Sequence, residues 1–293
     1  MAISEASQQP IPLPFESHFI ELGGERLHFF DTGCGETILF VHGNPTWAFY
    51  WRDLITALST DFRCVAIDHV GMGLSSKPQQ YDYCLDTHIR NLVHFIETKE
   101  LQNISLVAHD WGGAIGCGAA TELPERFKRL ILLNTAIFPP PFFPLRIRLT
   151  RTPLIGTLAL RGFNLFCHAA NRMATNQPGG LAKAVRRGLI APYDTWHNRI
   201  GIQRFVQDIP TRPDQPTWQR LEAIEKSISL FSNHPVLLIW GMKDWCFRPE
   251  CMYRIQKLLP HATSVPIADA GHYVVEDATE QVVNSLQRFL RET

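Results

Sequence analysis

Nowhere in the 293-residue sequence do apolar residues run uninterrupted for the roughly 18 positions that a membrane-spanning helix needs. Charge of one sign is not in excess either. Lys and Arg number 28 against 28 Asp and Glu, a formal net charge of zero, which gives a nucleic-acid or polyanion partner no support. The seven cysteines (Cys34, Cys64, Cys84, Cys117, Cys167, Cys246, Cys251) form no C-x-x-C pair and no metal-ligand spacing. They read as reduced thiols of a cytoplasmic protein. The opening MAISEASQQPIPLPF has neither a charged n-region nor an apolar h-region, so no signal peptide is expected. A G-x-G-x-x-G after a strand, a phosphate loop and a His/Cys cluster are all missing, so neither a metal nor an organic cofactor is expected. There is also no G-x-S-x-G, which disfavours a serine hydrolase.

What is there is an alternation. Short apolar, β-branched runs are bounded by turn residues and separated by longer amphipathic stretches, the pattern of a mostly parallel sheet covered by helices. The predicted strands are 19–22, 27–31, 38–42, 64–68, 105–109, 130–133, 236–240 and 264–267, with Gly23-Gly24 marking a hairpin between the first two. Helices are predicted around 50–58, 85–97, 113–121, 249–259 and 280–290. Two antiparallel strands followed by a β-α series make a doubly wound plan. About a hundred residues separate Leu133 from Val236, far more than one crossover helix requires. Residues 138–217 therefore read as an inserted helical cap, with helices over 154–170 and 180–190 and proline-rich joints at 139–144 and 208–213. Residues 1–137 and 218–293 form the core. The basic run Arg146-Ile147-Arg148-Leu149-Thr150-Arg151, beside the apolar 154–160, reads as a cap helix with one solvated face, a partner or a membrane surface being the other reading.

Directly after the fifth strand comes Ala108-His109-Asp110-Trp111-Gly112-Gly113. A small residue two before the centre and glycines two and three after it suit a sharp strand-turn-helix elbow, where side chains would collide with neighbouring backbone. Its tip is Asp110. A helix N-cap is the plain role for such an aspartate, but that role predicts nothing about the rest of the chain. The order nucleophile, acid, base does. His272, in Ala270-Gly271-His272 after the last strand, is the expected base. The acid has a seat after the sixth strand, where Asn134 cannot ionise, and another after the seventh, where Gly241-Met242-Lys243-Asp244 supplies Asp244. Glu276 is the competing carboxylate and reads as a surface residue. Donors for developing negative charge are expected from the backbone after the third strand, from the N–H of Trp111, from the Asn44 amide and from the Trp111 indole, which donates without accepting.

His42-Gly43-Asn44-Pro45-Thr46-Trp47, Asp68-His69-Val70-Gly71-Met72-Gly73-Leu74-Ser75 and His109-Asp110-Trp111-Gly112-Gly113 resemble the haloalkane dehalogenase group of α/β-hydrolases. The resemblance implies Asp110 as nucleophile, His272 as base, Asp244 as acid, and Asn44 with Trp111 as holders of the leaving group. Members whose acid follows the sixth strand have Glu where this chain has Asn134, which sets the chain outside their branch. The cap segments 191–200 and 204–210 are similar to the third dehalogenase subfamily and to the β-lactone decarboxylases of bacterial long-chain olefin biosynthesis. That resemblance implies decarboxylation of a cis-3-alkyl-4-alkyl β-lactone to a cis-alkene and carbon dioxide, with hydrolytic dehalogenation of a haloalkane as the alternative. Attack by Asp110 at the ring carbon bearing oxygen and attack at the carbonyl both fit the sequence. It further implies a small apolar substrate and association with other olefin-biosynthesis enzymes. An epoxide hydrolase would carry paired cap tyrosines, whereas Tyr193 is the sole tyrosine from 138 to 218; fluoroacetate dehalogenases carry Arg where Trp111 stands. A non-catalytic binding scaffold would have lost Asp110 or His272, and both are present.

Overall fold

The computed structural model describes residues 13–142, 144–152 and 154–293. The opening segment read for a leader, up to Pro12, lies outside the described residues, as does Phe143 of the proline-rich joint. Eight strands form one sheet: β1 (Ser17–Leu22), β2 (Glu25–Thr32), β3 (Thr37–Val41), β4 (Arg63–Ile67), β5 (Ile104–Asp110), β6 (Phe127–Thr135), β7 (Val236–Gly241) and β8 (Thr263–Ile267), in the spatial order β1-β2-β4-β3-β5-β6-β7-β8. Every predicted strand is present. β1 and β2 pair antiparallel through Leu22 and Glu25, and the intervening Gly23 and Gly24 both take positive φ, the conformation a two-residue hairpin turn demands. β2 also runs antiparallel to β4, and all later pairings are parallel.

Burial explains the sequence pattern. β3, β5 and β7 are buried at every position, because helices cover both faces of a parallel sheet and leave no polar side for alternation to show. β8 is the edge and is only partly buried; it accommodates Pro266, which a central strand would not. The covering helices are α1 (Arg52–Leu58), α2 (Leu85–Thr98) and α3 (Trp111–Glu122) early in the chain. Between β6 and β7 come α4 (Leu145–Leu149), α5 (Ile155–Thr157, continuing through a wider turn to Gly162), α6 (Leu165–Met173), α7 (Lys183–Ile190), α8 (Ile200–Asp208) and α9 (Pro216–Ser227). α10 (Pro249–Leu258), α11 (Val274–Asp277) and α12 (Thr279–Glu292) complete the fold.

The inserted segment is helical but more broken than its sequence suggests. The stretch expected as one helix over 154–170 is divided at Asn164, which adopts left-handed φ of 52° and donates its side-chain amide to the Tyr193 carbonyl at 3.1 Å. The second expected helix starts at Lys183 rather than Gly180, since Gly179 and Gly180 take positive φ. Helix α9 packs on α2 and α3, with Ile224 against the backbone at Gly118, so it covers the sheet.

Candidate active site

The parallel strands deliver their carboxyl ends to one edge of the sheet, and the site is assembled there. β5 passes into α3 with no intervening loop, and Asp110 at the junction has φ 55° and ψ −129°. A residue with a side chain rarely occupies that conformation, so the surroundings must enforce it. They do so by close backbone approach. A Cβ on Gly112 would stand 2.0 Å from the Val41 carbonyl oxygen, and one on Gly43 would stand 2.1 Å from Asp110 Oδ1. Only glycine fits at either place. Thr135 Oγ1 donates to the Asp110 carbonyl at 2.5 Å and ties the turn to β6.

The Asp110 carboxylate is buried and oriented. Its Oδ1 accepts the backbone N–H of Asn44 at 2.7 Å, and the Trp111 backbone N–H bonds the same carboxylate. The other oxygen, Oδ2, faces His272 Nε2 at 3.6 Å. Burial raises the carboxyl pKa above its ordinary value, while His272 and the two backbone donors hold the rise in check. The backbone donors expected for a substrate oxyanion are thus engaged with the aspartate's own carboxylate.

His272 Nδ1 lies 2.8 Å from Asp244 Oδ2, and its carbonyl accepts from Nε2 of the fully buried His109 at 2.9 Å. Phe247 stacks on the imidazole. Burial opposes a charged ring, but the Asp244 and Asp110 carboxylates on its two sides outweigh it and raise the His272 pKa. Asp244 is held by more than the histidine. Its Oδ1 accepts the Cys246 N–H at 2.7 Å, and its Oδ2 accepts the side-chain amide of Asn134 at 2.9 Å.

Asn134 cannot ionise, yet it stands beside Asp244. Its amide also donates to the Gly241 carbonyl, and its oxygen accepts the Gly241 N–H. A carboxylate at this position would face Asp244 at hydrogen-bond distance with like charge; an amide can donate instead. The signal for this role was the lateral pairing of β6 with β7, which puts the two strand ends side by side. Glu276 corrects the sequence reading. It is buried rather than a surface residue, and Arg52 grips both its oxygens at 2.7 and 2.8 Å. The short turn of α11 tucks it inward, where only a paired guanidinium makes a carboxylate tolerable. Tyr193 bonds the Thr46 carbonyl and the Gly73 N–H, both in loops after core strands, and so joins them to the inserted segment.

Asn44, Asp110, Trp111 and His272 line one end of a cavity of about 640 Å³; Asp244 lies behind His272. The remaining wall is hydrocarbon and aromatic, including Phe138, Leu160, Phe166, Val206 and Leu221. The Asn44 amide donates across the cavity edge to the Ile202 carbonyl of α8 at 3.3 Å, and its second N–H remains available to a ligand. The Trp111 indole forms the opposite side, edge-on to Phe205. Chemically, the arrangement is a buried carboxylate facing an imidazole that a second carboxylate holds in place, with polar donors at the end of an otherwise apolar chamber.

Comparison with known proteins agrees with the fold. The model of the α/β hydrolase fold family matches residues 36–154 and 171–279. A cis-3-alkyl-4-alkyloxetan-2-one decarboxylase of Shewanella oneidensis is 41% identical over 96% of this chain and 90% of its own length. Haloalkane dehalogenase 2 of Mycobacterium bovis is 33% identical over 94% of this chain and 96% of its own. Among solved structures, the haloalkane dehalogenase DatA of Agrobacterium tumefaciens superposes with a TM-score of 0.86 at 24% identity, covering 94% of this chain and 96% of that one, a likeness of fold. The chain belongs to the α/β hydrolase fold family, in the group that holds the β-lactone decarboxylases and the haloalkane dehalogenases.

Proposed function

We propose that this protein decarboxylates cis-3-alkyl-4-alkyl β-lactones (oxetan-2-ones) to cis-alkenes and carbon dioxide, with Asp110 as nucleophile, His272 as base, Asp244 as its orienting acid, and Asn44 and Trp111 as donors to the charge released. The observation that carries the chemistry is the fixed Asp110 carboxylate: Oδ1 is held by backbone N–H and Oδ2 points at His272 and the cavity. Likeness to the lactone decarboxylase, greater than to the dehalogenase, selects the substrate. The apolar wall suits two alkyl chains.

Attack falls on ring carbon C4. Carbonyl attack would need backbone donors for a new oxyanion, and those donors already serve Asp110. An Oδ2 lone pair forms the bond to C4, and the C4–O pair leaves to the ring oxygen. The product is an aspartyl ester whose substrate half ends in a carboxylate, which the Asn44 amide and the Trp111 indole can hold. The C3–carboxylate pair then becomes the double bond as C4–Oδ2 breaks and its pair returns to Asp110. No proton or water is consumed. Inversion at C4 followed by anti departure yields the cis-alkene from the cis-lactone. His272 takes no proton in this step: as the imidazolium between Asp110 and Asp244 it stabilises the carboxylates on either side, and its role as base belongs to activating water in the hydrolytic alternative.

The cavity, lined by residues of 138–217 and by residues outside that segment, supports reading 138–217 as a cap on a core of 1–137 and 218–293. Seven unpaired cysteines support a cytoplasmic location, and the pathway reading implies association with the enzymes that supply the lactone. Hydrolytic dehalogenation by the same residues is the second reading, favoured by the 33% likeness. The test is to follow alkene and bromide together, with a cis-dialkyl β-lactone in one reaction and 1-bromobutane or 1,2-dibromoethane in another. Alkene lost in Asp110→Ala, with feeble bromide release, supports the lactone; brisk bromide without alkene reverses the assignment.

A further inference from the structure

The inserted helices carry a surface that the chemistry above does not use. Seven of the ten exposed large apolar side chains among the described residues lie between Leu145 and Leu165, led by Leu154 at 84%, Ile155 at 75% and Leu145 at 68% exposure. A folded protein seldom leaves such side chains clustered in water without a partner. The cluster adjoins the cavity mouth: Leu149 and Leu165 are exposed and also line the cavity. The charge around it is one-sided. Between residues 139 and 193 the chain has eight Lys and Arg and not one Asp or Glu, although the protein as a whole is neutral. Along α6 the exposed face continues from Leu165 and Ala169 at the cavity to His168 and Arg172, which share a groove with Lys183, Arg186 and Arg187 of α7.

We propose that this face docks on an anionic lipid bilayer, with the apolar side chains of 145–165 entering the acyl boundary and the α6–α7 groove meeting headgroup phosphates. Apolar burial combined with basic charge is what holds a protein at such an interface. A second copy of the chain suits the face poorly, because a two-fold contact would set the same basic surface against itself. Docking there would open the apolar cavity onto the phase in which long-chain ligands dissolve. The inference goes beyond the proposed reaction and does not depend on it.

Sedimentation with vesicles tests it without turnover. The protein should sediment with vesicles of phosphatidylglycerol and phosphatidylcholine, bind phosphatidylcholine alone far more weakly, and lose most anionic binding in 0.5 M NaCl. Each basic side chain near an anionic surface contributes roughly fivefold in partitioning, so Arg172→Glu/Arg186→Glu should bind at least about 25-fold more weakly. Leu154→Asp/Ile155→Asp, at positions that do not line the cavity, should lose vesicle binding while keeping its circular dichroism and its unfolding midpoint. Absent binding to anionic vesicles, or binding by both variants as tight as the parent's, overturns the proposal. So does an oligomer that Leu154→Asp/Ile155→Asp converts to monomer when no vesicle binding is seen, which would make the face a contact between copies.

Discussion

Replacing Asp110 with Asn should abolish turnover and stabilise the fold. The aspartate is nearly buried, and burial raises its pKa. An acid whose folded pKa lies above its unfolded value of about 3.9 costs stability at every pH above that value. Asn removes this cost, retains an oxygen for the Asn44 N–H, and tolerates the positive φ better than most residues. A second group opposes the gain. His272 has a raised pKa, with Asp110 among its supports, so it adds stability below its unfolded value near 6.5, which fades as pH rises through the folded value. Part of that support goes with the carboxylate. The gain should therefore be largest at pH 9, roughly 0.5–2 kcal/mol, the usual yield of relieving an active site, and smaller at pH 6. Urea unfolding at the two pH values measures it, and each kcal/mol should raise Tm by about 1.5–2 °C. A variant less stable than the parent at pH 9, or one that gains more at pH 6, would refute the reasoning.

In Asp244→Asn, His272 loses the largest influence that raises its pKa, so its imidazole titration, followed by nitrogen NMR, should move to lower pH; an unmoved titration would separate the pair. Arg52→Ala leaves the Glu276 carboxylate buried without its bidentate partner and should cost about 3–5 kcal/mol in urea unfolding. A loss under 1 kcal/mol would mean that the pair is wet. Asn134→Ala leaves the Gly241 N–H and Asp244 each short of one partner, so unfolding should show a loss of at least about 1–3 kcal/mol, with full stability as the contrary result.

The fold was legible because its evidence is local. A parallel strand such as β5 is marked by its own continuous apolar run, and the elbow by glycines within three positions of Asp110. Asp244 and His272 followed from chain order, and the structure places them 2.8 Å apart. What stayed hidden depends on partners remote in sequence. Arg52 and Glu276 are 224 residues apart, and no local pattern separates a paired buried carboxylate from a solvated one. Asn134 was judged by its inability to ionise, when its use is to donate to a neighbour that does. The inserted helices are short, and left-handed Asn164 divides what periodicity alone joins.

The most direct test of the central claim is the mass of the peptide containing Asp110 after rapid quenching with a cis-dialkyl β-lactone. The account predicts that Asp110 carries the mass of the intact lactone, and that this adduct decays as alkene appears. Because the adduct would be an alkyl ester, it should survive brief hydroxylamine treatment, whereas the anhydride from carbonyl attack would not. Alkene accumulating with no adduct at any time, or an adduct on another residue, would contradict it.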